Sequence, residues 1–355
     1  MQPVPLVRSS VLDPLFAFLD ANGVRCDGAL ELARGRLRGG PSLIPLAVGG
    51  AIWEAAARAT LLPDLGLRVG AATRVEDVLP VGALVRNARS VGAALAVAVS
   101  LGARFNSGER FWTTRCGDDV WLHHRFAPAL RQGRRQCSDF VLRLWIALFR
   151  TAAGAGWRPT EVRIEGAPPP HAPALADLAR AGIRFEQPDT AFAFPRSLLA
   201  LPLPALSPER SLAAATGKAA GGDLPEAGFA GSARQTVAAL LQLGSPHVAA
   251  AARAAGTSVR SLQRHLADAH LSFFGLLEEV RCDAALRMLQ DPRAKIIEIS
   301  AELGYTDSAN FTRAFRRWTG LSPRAFRRSV VGRELAHPVG HLRPDVHAGL
   351  VERGA

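Results

Sequence analysis

Apolar residues recur at helical spacing through the C-terminal third of the chain. In residues 307–319, Phe311, Ala314, Phe315 and Trp318 form one stripe. Arg313, Arg316 and Arg317 fall on the opposite face, with Asn310 beside them. Thr306 or Asp307 is placed to cap this helix. Residues 296–303 read as a shorter helix just upstream, stopped by Gly304. Gly256 lies 48 residues before Gly304, and the same plan surrounds it. Residues 246–255 read as a short helix, Gly256 ends it, and Thr257 or Ser258 caps the next. There Leu262, Leu266 and Ala269 form the apolar face, opposite Arg260, Gln263 and Arg264. Residues 273–290 supply a joining helix. The pattern predicts an all-α domain of two helix-turn-helix units, over 246–269 and 295–319, in a module spanning 231–331.

The pattern before residue 204 is mixed. Residues 11–21, 45–61, 91–103 and 137–153 have helical periodicity, the third as a buried helix. Residues 111–115 and 120–125 flank Gly117-Asp118-Asp119, a hairpin signal. Residues 162–164, 183–185 and 191–194 are short strand candidates. An α+β domain over 1–204 is expected. Pro204, Pro208, Pro225 and four glycines mark residues 205–230 as a linker. Residues 332–355 read as a disordered tail.

Composition changes this picture little. At 355 residues, two domains are the prior, and 48% apolar residues support packed cores. The net charge of +12 points to an anionic partner, nucleic acid first. Only Lys218 and Lys295 are lysines, so part of the excess reflects a GC-rich arginine and alanine bias. Four scattered cysteines without a C-x-x-C pair suggest reduced thiols in a cytoplasmic protein. Residues 1–13 lack a signal-peptide pattern. The longest apolar run is shorter than the roughly 20 residues that span a bilayer, so no membrane partner is expected.

The side chains suggest the chemistry. Arg makes bidentate contacts to guanine and Gln to adenine, and Arg also holds phosphate, which positions without reading sequence. Residues 231–330 hold 14 Lys and Arg against 8 Asp and Glu. One amphipathic basic helix is ordinarily a solvated surface helix. Two units in tandem are a specific signal.

The run Ile299-Ser300-Ala301-Glu302-Leu303-Gly304-Tyr305, followed by Asn310-Phe311-Thr312-Arg313-Ala314-Phe315-Arg316-Arg317-Trp318 and Thr319-Gly320-Leu321-Ser322-Pro323, resembles the signature of AraC/XylS-type transcriptional regulators. The resemblance covers residues 235–329. It implies a bihelical DNA-binding domain whose recognition helices enter successive major grooves of double-stranded DNA. By position it makes Arg260, Gln263 and Arg264 base-facing in the first unit, and Ser308, Asn310 and Arg313 in the second. Arg316 and Arg317 fall to phosphate. Ser300 and Tyr305 depart mildly from the pattern, where Ala and Phe are usual. His270 stands where a helix-ending Gly is common, and the first helix is nearly all alanine, so a less stable first unit is expected.

Residues 11–204 resemble the sensor domain of the subgroup that includes ornithine-utilisation regulators. The matching phrases are Ile44-Pro45-Leu46, Leu65-Gly66-Leu67-Arg68-Val69-Gly70, Gly156-Trp157-Arg158-Pro159 and Phe194-Pro195. This implies effector sensing and dimerisation, and, with the family, an activator that meets RNA polymerase. Trp112, Trp121, Phe140, Trp145, Phe149 and Trp157 read as core first. The alternative is a pocket wall for a small effector, with Trp121 and Trp145 in the wall and Arg115 and Arg125 as polar contacts. His123 and His124 are adjacent on a strand and point to opposite faces, so no shared metal is expected, and no cofactor. A ligand-independent architectural DNA binder remains the alternative. An enzyme fused to a DNA-binding module comes last, because no cysteine has an activating cluster.

Overall fold

The computed structural model describes residues 2–24, 28–38, 40, 42–74, 78, 88–168, 173–178, 180–204, 224–244 and 246–334. Cys26, most of the expected linker and the tail beyond Glu334 lie outside the described residues.

An N-terminal α+β core comes first. Strand β1 (Leu6–Arg8) pairs antiparallel with β2 (Leu43–Pro45), Val7 opposite Ile44. Helices α1 (Asp13–Ala21), α2 (Gly28–Leu37), α3 (Leu46–Thr60), α4 (Leu65–Ala72) and α5 (Val91–Phe105) lead to a sheet. Its order is β3 (Glu109–Cys116), β4 (Asp119–Phe126), β7 (Thr190–Pro195), β5 (Glu161–Arg163), β6 (Gly182–Arg184), antiparallel except for the β5–β6 pair. The β3–β4 hairpin turns at Gly117, whose φ of +60° lies in the left-handed region open to glycine.

Helix α6 (Arg134–Ala153) is the axle of this core. Its Phe149 packs on Phe192 and Phe194 of β7, with ring centroids 5.2 and 4.5 Å away. Glycines let α4 approach α6. A Cβ on Gly66 would collide with the Gln136 carbonyl, and one on Gly70 would meet the Phe140 carbonyl oxygen at 2.6 Å. Gln136 fastens the contact. Its Oε1 accepts from Gly66 N–H at 2.8 Å, and its amide donates to the Pro63 carbonyl at 3.0 Å. The sheet alternates as strands must. Val120, Leu122 and Phe126 face the core, while Trp121 joins Ala191 and Ala193 in a small cluster on the opposite face.

The second core is entirely helical. It comprises α7 (Phe229–Gln242), α8 (Val248–Ala254), α9 (Val259–Asp268), α10 (Phe273–Met288), α11 (Ile296–Glu302), α12 (Ser308–Thr319) and α13 (Pro323–Glu334). Leu240, Leu262, Leu266, Leu277, Phe311 and Phe315 meet at its centre.

The pattern missed several elements, for identifiable reasons. Helix α4 carries two glycines among eight residues, a composition unfavourable to helix that tertiary packing overrides. Helix α7 starts inside the expected linker, so Phe229 and Ala230 are helical rather than connecting. Helix α13 likewise carries residues 332–334, which composition assigned to the tail. Helix α5 is half-buried rather than buried, with Val99 39% exposed. Among the described residues, no helix is long and apolar enough to cross a membrane.

The two cores touch. Val4 N–H donates to Ser232 Oγ at 2.9 Å, a buried bond from the N-terminal segment to α7. Val48 of α3 packs against the helical core, and Leu243 packs against the first. A Cβ on Gly256 would approach the Ala129 Cα within 3.0 Å.

Candidate nucleic-acid interface

The first helix-turn-helix pair is α8 and α9. His247 caps α8, its ring accepting from Ala250 N–H at 3.1 Å. Gly256 turns the chain at φ +68°, and Ser258 Oγ accepts from Ser261 N–H at 3.1 Å to start α9. Leu262 and Leu266 are buried, while Arg260, Gln263 and Arg264 are exposed together on the other face. The helix ends at His270, in the left-handed region at φ +57°. Leu271 N–H donates back to the Leu266 carbonyl at 2.8 Å, the pattern a glycine normally closes.

The second pair, α11 and α12, turns at Gly304, φ +75°. Asp307 caps α12, accepting from Asn310 N–H at 2.6 Å. Ser300 is buried, and its hydroxyl donates to the Asp307 carbonyl at 3.0 Å. The departure from Ala thus ties the first helix to the turn. Tyr305 packs on Phe311 and Trp318, with centroids at 5.8 and 6.5 Å. The Arg281 guanidinium lies 4.7 Å above the Tyr305 ring, and its Nε donates to the Leu303 carbonyl at 2.9 Å. One arginine of joining helix α10 therefore clamps the second turn. Burial pushes the Tyr305 hydroxyl above its ordinary value.

On the outer face of α12, Arg313 and Arg316 are exposed and Ser308 is partly so. Asn310 is bonded on both sides: its amide donates to Asp307 and its carbonyl accepts from Arg313. That chain holds the Arg313 fork along the helix. Arg317 pairs with Glu278 of α10, unlike its neighbour Arg316. The structure therefore collects the predicted residues into two exposed basic faces, one per pair.

The N-terminal core contains a partly open cavity between β1, α3, α5, β3 and α6. Its wall is apolar, with Val7 from β1, Leu46 and Trp53 from α3, Phe111 from β3, and Phe140 and Trp145 from α6. Trp145 thus stands where pocket-wall reasoning placed it. Arg115 and Arg125 are exposed, and Trp121 lies on the far side of the sheet, its ring 3.9 Å beneath the Arg163 guanidinium. None of these three lines the cavity.

The polar groups at the wall were missed. They are Asn106 and Glu109, at the junction of α5 and β3. Asn106 donates to Glu109 Oε1 at 2.6 Å, and its carbonyl accepts from Arg8 N–H of β1 at 3.0 Å. His124 Nε2 lies 3.3 Å from Glu109 Oε2. They sit in a polar stretch with Arg104, Ser107 and Arg110, so nothing in the local pattern marked them. Cys137 also lines the wall, and burial pushes its thiol far above its ordinary value. His123 faces away, stacked on Trp112 and bonded to Asp189 at 3.0 Å, so the two histidines have separate partners.

Comparison with known proteins places both halves. The family model for the arabinose-binding N-terminal domain of the AraC transcription regulator matches residues 28–203, and a helix-turn-helix domain model matches 251–329. The ornithine utilization regulator of Pseudomonas aeruginosa is 43% identical over 82 residues, 23% of this chain and 24% of that protein. The HTH-type transcriptional regulator VqsM of the same organism is 37% identical over 70 residues, 20% of this chain and 22% of that one. The matched segment thus spans about a quarter of the curated relatives' length. The solved structure of the transcriptional regulator CdpR from P. aeruginosa shows 26% identity, covering 78% of this chain and 91% of that one, with a TM-score of 0.35. With an AraC-type N-terminal domain and a helix-turn-helix domain covering most of its length, the chain belongs to the AraC family of transcriptional regulators.

Proposed function

We propose that this protein is a sequence-specific DNA-binding transcription regulator whose activity is set by a small molecule bound in the N-terminal cavity. The observation that carries this reading is the pair of exposed basic helices, α9 and α12, set on one shared helical core. In it, residues 1–204 sense the effector, 205–230 connect, and 231–331 bind DNA. Arg260, Gln263 and Arg264 read bases in one major groove, and Ser308, Asn310 and Arg313 in the next. Arg316 holds phosphate. Arg317 does so after exchanging Glu278 for the DNA backbone. RNA polymerase and a second copy of the chain are its protein partners, in the cytoplasm, and it performs no catalysis.

Control runs through contacts the two cores share. Glu109 is bonded to Asn106, Asn106 to Arg8 of β1, and the segment before β1 to Ser232 of α7. A ligand that prefers one arrangement of this chain shifts how α7 and the first helix-turn-helix pair are held. Binding of the full chain to duplexes selected from a random pool, against random duplex at fixed salt, tests the reading. A preference of about a thousand-fold or more is expected. A ratio near one would leave only an architectural binder. Ser232→Ala should keep sequence preference while weakening the response to effector.

A further inference from the structure

The cavity wall offers very little polar chemistry, and what it offers is acidic. Among the described residues, its polar side chains are Asn106 and Glu109, and no Arg or Lys lines it. Asn106 is already bonded at both ends of its amide. The Glu109 side chain is 9% exposed and set among Phe111, Phe126 and the His124 ring, with centroids of Phe111 and Phe126 lying 4.7 and 4.5 Å from that ring. Each carboxyl oxygen has one neighbour, Asn106 or His124, and a carboxylate oxygen can accept more than one bond.

These facts sort ligands by class. A pentose would bring several hydroxyls to a wall with two polar side chains, and each buried hydroxyl left unpaired costs free energy. The sugar in the name of the matching family model therefore does not suit this chain's cavity. A carboxylate ligand would face Glu109 with no Arg or Lys among the described wall residues to balance it. A purely apolar ligand would leave Glu109 without its remaining bonds as water is expelled. An apolar body ending in a protonated amine satisfies both parts of the wall, and its charge-assisted bond to the carboxylate is the strongest on offer.

We propose that the cavity binds a mainly apolar amine, its aliphatic or aromatic body lying against the wall that Trp53, Phe140 and Trp145 form and its ammonium seated on Glu109. This rests on the reading of the cavity as the effector site. The ammonium would also reach the Glu109–Asn106 bond, which continues to Arg8 of β1. Head-group recognition and the connection to the DNA-binding half therefore meet at one carboxylate.

The test uses the full chain and three probes of one skeleton: 4-phenylbutylamine, 4-phenylbutan-1-ol and 4-phenylbutyrate. Tryptophan fluorescence reports binding directly, since Trp53 and Trp145 line the cavity. The amine should bind at least ten-fold tighter than the carboxylate, with the alcohol between them. Glu109→Gln should bring amine and alcohol within about two-fold. Ala98 of α5 also lines the cavity, and Ala98→Phe, which fills it, should lose all three probes. The wild-type ranking stands as evidence even where a variant folds poorly. Equal or tighter carboxylate binding, no binding by any probe, or an amine preference surviving Glu109→Gln would overturn the proposal. Sequence-specific DNA binding on the same sample separates the two claims. Intact, it leaves the regulator reading standing when the ranking fails; lost, it removes that reading while a correct ranking keeps the cavity chemistry.

Discussion

The second recognition helix buries aromatic rings, whereas the first buries Leu262 and Leu266 beside an alanine-faced partner helix. In the second pair, Phe311 and Phe315 are fully buried and Tyr305, Trp318 and Phe326 pack around them. In the first, Ala250, Ala251, Ala252 and Ala254 supply the buried face of α8. Burial of a large side chain is worth about 1.5–3 kcal/mol, and a methyl group far less. The second pair also has its own clamp, Arg281 on the Gly304 turn. Both pairs share one apolar core, and the first is also supported from outside, by the N-terminal core at Gly256. The supported one is where control from another domain can act.

The largest expected difference lies in core truncation. Phe315→Ala should cost about 3–5 kcal/mol and Leu262→Ala about 2–4. Denaturant melts of both variants check this, and a costlier Leu262→Ala would reverse the comparison. DNA contacts come next. Arg313→Ala should lose about 1–3 kcal/mol of specific binding, and Arg264→Ala less, because the first pair is held less firmly. Anisotropy titrations at one salt concentration measure both. The turn glycines discriminate more finely. Gly256→Ala and Gly304→Ala each carry about 1–2 kcal/mol of left-handed strain. Only Gly256→Ala also presses on Ala129, so only it should change the effector response; equal changes would dissociate that turn from control. The smallest effect is a gain. His270→Gly relieves a side chain at φ +57° and should stabilise the first pair by up to about 1 kcal/mol, read as a higher melting temperature.

How much of this was legible in the sequence follows the same division. The second pair could be read almost completely, because its aromatic stripe, capping Asp307 and Gly304 all express local physics. The end of α9 was less legible, because His270 stands where the resemblance leads one to expect a helix-ending Gly, yet takes the left-handed conformation all the same. The arginine faces were visible as a period, whereas the Arg317–Glu278 pair was not, since those residues are far apart in the chain. In the N-terminal half, β3, β4 and α6 announced themselves by pattern. Helix α4 did not, because its glycines serve contacts with α6 rather than helix propensity. The cavity was half legible: Trp145 was named, while Glu109 and Asn106 were passed over. Their meaning depends on three elements meeting, and periodicity within one element does not carry that.

The central claim is that two recognition helices read two adjacent major grooves, the second more stringently. Selection of duplexes from a random pool by the wild-type chain, Arg313→Ala and Arg264→Ala tests it most directly. The account predicts two clusters of constrained bases about 10 base pairs apart. Arg313→Ala should relax one cluster and Arg264→Ala the other, with the Arg313 cluster the sharper in the wild type. A single cluster, or a profile unchanged by both substitutions, would contradict it.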